Sequence, residues 1–251
     1  MSSLDIETKR KLREMNATDM LQAFEAQDEA MSMALSFDER VRLIVDEAHS
    51  AFTTSKVGGL ISRAKLRYPN ADLRQVDLVE ERGLNRNMLA SIGSCAFIDQ
   101  NQNQNVVFQG FTGSGKSYLG CALAKQACRN SIRTQYVRMP DLEEEWVQAQ
   151  DKPLGAAKFL KKYGAFTLLV VDEWLLDRPS GDFLRMLLEL MERRYGSAST
   201  VFCTQYQQKD WHQRLGSGVH ADAIMDRIIH NTIWIETGSY NMREKIGAVQ
   251  E

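Results

Sequence analysis

Little in this chain ties it to an oxidising compartment, a metal or a membrane. Its four cysteines, Cys95, Cys121, Cys128 and Cys203, include no pair at the two-residue gap of a zinc knuckle or redox motif. Each is expected to be a reduced, buried small hydrophobe. The four histidines, His49, His212, His220 and His230, share no spacing that suits a metal site. No run approaches the ~20 apolar residues that cross a bilayer. The start, Met1–Arg13, is charged where a signal peptide would be apolar. The expectation is a cytoplasmic chain with no membrane partner. Charge of one sign is missing too: 31 Lys and Arg face 33 Asp and Glu, a net −2, so any nucleic-acid partner has to be recognised by a local patch. No internal repeat is visible.

What is present is an ordinary globular composition, 43% hydrophobic and 25% charged over 251 residues, enough for one large domain or a small one beside a medium one. The first part reads as helices, with candidates at Leu4–Met15 and Thr18–Ala34. Ser36 and Glu39 form a capping box, and behind it Val41, Ile44, Val45, Ala48 and Phe52 recur at helical spacing. A further helix is expected from about Ser55 to near Tyr68, where Pro69 disfavours helix in the residue before it. Between His49 and Ala71 stand Lys56, Arg63, Lys65 and Arg67 with no Asp or Glu. By itself that pattern reads as a solvated helix face as readily as a binding surface. Gln100–Asn105 contains only Gln and Asn and reads as a loop.

Beyond it the pattern changes to short apolar strands separated by helices. Strands are expected at Val106–Gln109, Thr134–Arg138, Thr167–Val171, Thr200–Thr204 and Thr232–Glu236. Helices are expected at Lys116–Arg129, Asp141–Gln148, Asp182–Tyr195 and Ala221–His230. Such alternation predicts an α/β fold, a parallel sheet covered by helices on both faces, with ligands beyond the carboxyl ends of the strands.

Gly110-Phe111-Thr112-Gly113-Ser114-Gly115-Lys116-Ser117 fits the phosphate-binding loop pattern at every fixed position, and Tyr118 follows it into a helix. Glycines let successive backbone N–H groups wrap phosphate oxygens, Lys116 sets a cation on the β and γ phosphates, and the Ser117 hydroxyl can ligate Mg²⁺. Leu168–Val171 is an apolar strand that ends in Asp172, able to hold Mg²⁺ through Ser117 and water. Glu173, directly after, can polarise a water near the γ-phosphate, which an ATPase needs and a nucleotide kinase does not. Thr204 and Gln205 end the next strand and are candidates to contact the γ-phosphate or the attacking water. Arg227, before the last strand, reads by itself as a surface or Asp-paired arginine. Trp146, Trp174, Trp211 and Trp234 are expected to be packing residues.

The loop with its helix, Val-Val-Asp-Glu-Trp after the central strand, the stretch Ala221–His230 and the Leu35–Arg40 segment resemble the IstB transposition-helper ATPases along nearly the whole chain. The resemblance implies an AAA+ P-loop NTPase domain, residues 71–251, behind a small all-helical domain, residues 1–70, with a carboxyl end too short for the usual helical lid. It implies ATP with Mg²⁺, duplex DNA and a transposase as partners, and a homo-oligomer with shared ATP sites. Residue by residue, it makes Lys116, Glu173, Thr204 and Gln205 catalytic and Arg227 the arginine finger that completes a neighbour's site. Where the family often has a second Asp this chain has Glu173, the usual catalytic acid across AAA+ proteins, which favours an active hydrolase. DNA contact through Lys56, Arg63, Lys65, Arg67 and Arg74 becomes the stronger reading of the basic residues. Arg243 follows Met242 as in the family and has no assigned role. A DnaC-like helicase loader is the nearest alternative. A small-molecule phosphotransferase and a DNA clamp that barely hydrolyses lie further off.

Overall fold

The computed structural model describes residues 4–28, 34–99, 103–238 and 240–242, so Arg243, part of the Gln/Asn run and residues 29–33 lie outside the described residues. Two compact units are present, Met1–Gly59 and Leu60–Glu251.

The first unit is helical. Helix α1 (Ile6–Glu14) starts on Asp5, whose carboxylate accepts the Thr8 N–H at 2.8 Å. Helix α2 (Thr18–Glu25) joins α1 through Lys9–Glu25 at 2.7 Å and stops well before Ala34. Just past its end, Gln27 Nε2 donates to the Arg40 carbonyl at 3.2 Å. Helix α3 (Phe37–Ala64) opens on the expected capping box, with Ser36 N–H on Glu39 at 2.8 Å and Glu39 N–H on Ser36 Oγ at 3.3 Å. The expected break near Ser55 does not occur. Thr53–Gly58 contains no proline, and Gly58 costs only ~1 kcal/mol against alanine, too little to end an established helix. Of the anticipated stripe, Ala48 is buried, Ile44 half-buried, and Val41, Val45 and Phe52 exposed.

The second unit starts with the end of α3. The helix stops at Ala64, before Pro69 can act, because Lys65 takes a left-handed conformation (φ +54°) and Gln135 Nε2 donates to the Ala64 carbonyl at 3.4 Å. Helix α4 (Arg86–Gly93) is capped by Asn85. Strands β1 (Asn105–Gln109), β2 (Thr134–Arg138), β3 (Leu168–Asp172), β4 (Ser199–Thr204) and β5 (Thr232–Glu236) make one parallel sheet in the order β2-β3-β4-β1-β5. Helix α5 (Lys116–Arg129) leads from β1 to β2. Helices α6 (Met139–Gln150) and α7 (Gly155–Gly164) precede β3, α8 (Gly181–Arg194) precedes β4, and α9 (Gln208–Arg214) and α10 (Val219–Ile229) precede β5.

Period-two alternation divides the core between the two faces. Leu168, Val170, Val106, Phe108 and Cys203 pack with α5, whereas Leu169, Val171, Val107 and Phe202 pack with α6 to α10. From β1 the chain therefore crosses outward to β2 over one face and returns to β5 over the other. That reversal leaves a crevice at the carboxyl end of β1. Trp174 and Trp211 stack at 5.8 Å and Trp211 and Trp234 at 5.4 Å, and Trp146 packs on Phe159, so all four tryptophans are packing residues. All four cysteines are buried.

Candidate nucleotide site

Strand β1 ends at Gln109 and the chain enters the crevice as the glycine loop, whose sharp path needs φ of +88° at Gly113 and +90° at Gly115. Gly115 is the N-cap of α5, so the loop ends on the positive end of a helix N-terminus. Lys116 Nζ donates to the Phe111 carbonyl at 2.6 Å across the loop. Ser117 Oγ donates to Asp172 Oδ1 at 3.0 Å, which brings the two expected magnesium ligands together although 55 residues separate them. Ser117 hydroxyl and Asp172 carboxylate are hard oxygen donors of the kind Mg²⁺ takes. Asp172 is buried, and Tyr136 of β2 donates its phenol to Oδ2 at 2.6 Å. Burial, and then the negative charge of Asp172, raise the Tyr136 phenol above its ordinary range, so it stays a donor.

Glu173 stands one residue past β3 in a left-handed conformation, φ +57°, uncommon for a non-glycine residue. Its flanks are fixed. Glu173 N–H donates to Asp172 at 2.9 Å, Trp174 N–H to the Cys203 carbonyl at 2.9 Å, and Leu176 N–H to the Glu173 carbonyl at 3.0 Å. The carboxylate lies between two arginines, Arg67 at 3.0 Å and Arg138 at 3.7 Å.

Gln205 accepts the Thr112 hydroxyl at 2.9 Å and lines the same cavity, of about 490 Å³, as Lys116, Ser117, Asp172 and Glu173. Thr204, expected beside it, is turned inward. Its side chain is buried, donating to the Trp174 carbonyl at 2.9 Å and accepting from Tyr206 N–H at 3.1 Å. In this chain it supports the backbone behind Glu173 instead of facing the cavity. The opposite wall of the cavity is Gln75, Val76 and Asp77, held onto α5 by Asp72. That carboxylate meets Arg74 at 2.8 Å and Arg129 at 3.0 Å, and its N–H donates to the Tyr118 hydroxyl at 3.2 Å. The Arg74 hydrogen bonds hold the Asp72 carboxyl well below the usual range.

Residues 10–248 match the family described as IstB-like ATP binding protein. The chain belongs to that family. It is 33% identical over 236 residues to the insertion sequence ATP-binding protein y4uH of Sinorhizobium fredii, covering 92% of each chain. In fold it is similar to the DnaC helicase loader, with a TM-score of 0.56 at 23% identity over 68% of this chain and 98% of that one. AMPPCP-bound DnaA from Aquifex aeolicus matches with a TM-score of 0.57 at 17% identity, over 74% of this chain and 56% of that one. The IstB-like chain is thus an ATPase of AAA+ P-loop fold.

Not every residue assigned from sequence lies in that cavity. Arg227 sits on α10 just before β5, bonded to Glu192 and, at 2.8 Å, to the Ala223 carbonyl. Because β1 and β5 run parallel with Asn105 beside Thr232, Arg227 is at the starting end of the sheet and the phosphate loop at the finishing end. Lys56, Arg63 and Lys65 are exposed, Arg74 is exposed but paired with Asp72, and Arg67 belongs to the cavity wall through Glu173. Sequence reading missed Tyr136, Arg138 and Arg82. For Arg138 a signal existed: in a parallel sheet the residue ending β2 falls level with the residue ending β3, and Arg138 pairs in register with Asp172.

Proposed function

We propose that this IstB-like ATPase assembles on duplex DNA with ATP and assists a transposase, hydrolysis resetting the assembly. The observation that supports it most is the Ser117–Asp172–Glu173 cluster beneath the glycine loop, in a chain whose relatives are insertion sequence ATP-binding proteins. Ser117 and Asp172 would hold Mg²⁺, which neutralises charge on the β and γ phosphates when bound. Lys116 and the loop N–H groups bind the triphosphate. Glu173 takes the proton of a water aimed at the γ-phosphate, and to do so its carboxylate has to exchange Arg67 for that water. Gln205, tied to Thr112 of the loop, is placed to orient the same water.

Arg227 lies a full strand length from its own loop, about 13–17 Å along a five-residue strand, so a finger role for it would be in another subunit's site. Exposed Lys56, Arg63 and Lys65 supply phosphate contacts with little sequence preference and strong salt dependence. The test is phosphate release by wild type and Lys116→Ala, with and without duplex DNA, beside co-purification with the transposase. Wild-type turnover that DNA does not raise, or a replicative helicase captured in place of the transposase, overturns the reading.

A further inference from the structure

Arg82 ends a short 3₁₀ turn, Glu80–Arg82, in a segment that lines the same cavity as Glu173. Its side chain is 2% exposed. Nη1 donates to the Asp77 carbonyl at 2.8 Å and Nη2 to the Ser114 carbonyl, inside the phosphate loop, at 3.0 Å. Nε is buried with no hydrogen-bond partner among the described residues. Burial pulls the guanidinium below its usual range, yet an arginine there stays charged.

The approach to the loop is close. A Cβ on Gly115 would lie 2.9 Å from Nη2, so the guanidinium packs directly on this glycine, whose φ of +90° already favours a residue without a side chain. One Cβ on Gly238 would lie 2.6 Å from the Arg82 Cα, so the turn after β5 presses the same segment inward. The Ser114 carbonyl and the Gly115 N–H belong to one planar trans peptide and point opposite ways. Drawing that carbonyl onto Arg82 therefore turns the Gly115 N–H away from Arg82, into the concave side of the loop. A buried cation one peptide from the phosphates also attracts them with little screening.

We propose that Arg82 is a positioning residue of the nucleotide site: it sets the Ser114–Gly115 peptide so that the Gly115 N–H faces the phosphates, and it adds a buried positive charge behind that peptide. This rests on the site binding a nucleoside triphosphate, and no assigned loop residue does the same work. A support role for the fold alone would weaken every ligand in parallel. Charge and peptide orientation aimed at phosphate make the loss grow with phosphate number.

The experiment titrates Arg82→Met and Arg82→Lys with fluorescent ATP, ADP and AMP analogues, and with tripolyphosphate as competitor. Arg82→Met is expected to lose about tenfold or more for ATP and tripolyphosphate, the worth of one charge-assisted hydrogen bond, and much less for AMP. Arg82→Lys, which keeps the charge but cannot span two carbonyls, is expected to fall between Met and wild type. Equal losses for AMP and ATP, or ATP binding unchanged in either variant, overturn the proposal. If Arg82→Met does not fold, the Lys variant decides by the same comparison. Wild type and Lys116→Ala run alongside: failure of wild type to bind ATP refutes the site itself and is told apart from a failure of Arg82.

Discussion

Two residues carry unusual burdens, Glu173 in the proposed hydrolysis and Arg194 in the fold. Glu173 keeps a left-handed backbone that costs on the order of 1 kcal/mol, held by the Trp174 and Leu176 hydrogen bonds and, behind them, by Thr204. Strain retained next to Asp172 is what a group with one task at one place requires. Glu173→Gln is expected to bind ATP as wild type does and to turn it over about a hundredfold or more slowly, since the amide takes no proton from water. Single-turnover hydrolysis at wild-type speed would remove Glu173 from the mechanism. Arg194 is wholly buried at the other end of the sheet. It donates to the Tyr163, Phe166 and Ser199 carbonyls and to Thr200 Oγ1, stitching the end of α7 to the start of β4. Burial alone lowers its pKa to about 9. Arg194→Lys cannot reach all four acceptors and leaves at least two buried carbonyls bare, at roughly 2–4 kcal/mol. The melting temperature of the second unit should drop by about 5–15 °C, read by scanning calorimetry; a shift of a degree or less would show that water takes over these carbonyls.

At the scale of elements, α3 allows a clean measurement. Gly58 lies inside this 28-residue helix, and a Cβ there would meet nothing within 4 Å. Gly58→Ala should therefore stabilise α3 by about 0.5–1 kcal/mol, visible as a higher helix-melting midpoint by circular dichroism. A lower midpoint would mean that the residue packs against something in solution. The same helix shows where sequence reading succeeds and fails. Its start was legible because Ser36 and Glu39 are a local chemical device. Its end was not, because Gln135, distant in the chain, caps it. Strands β2 and β5 fall where alternation and apolar runs put them, and β3 reads as a continuous hydrophobic run because it is covered on both faces. Helices α4, α7 and α9 escaped notice. They are short, and α9 buries only Trp211, so no periodic stripe announces it. In the site, the loop and Asp172–Glu173 were legible because a phosphate cradle and a metal carboxylate have fixed spacings. Arg67 and Arg82 were not, since nothing near either arginine in sequence says that it meets Glu173 or the loop.

At the scale of the molecule, Arg227 and the phosphate loop lie at opposite ends of one parallel sheet. Arg227→Ala should keep ATP binding and lose hydrolysis, an arginine finger being worth on the order of 10³-fold or more. Mixed with Lys116→Ala, it should regain part of the activity at interfaces that pair an intact loop with an intact arginine. Absence of any recovery, with mixed assembly confirmed by mass, would confine Arg227 to a structural role. An order of assembly follows from the same separation. If Arg227 serves a neighbour's site, a chain that gives its arginine at one end and receives one at the other associates head to tail, as a directional stack and not as a two-fold pair. Such a stack, if open, always leaves one terminal subunit holding ATP it cannot split. Turnover per chain then rises with stack length towards a ceiling, and a single finger-less subunit silences only the neighbour it should have served.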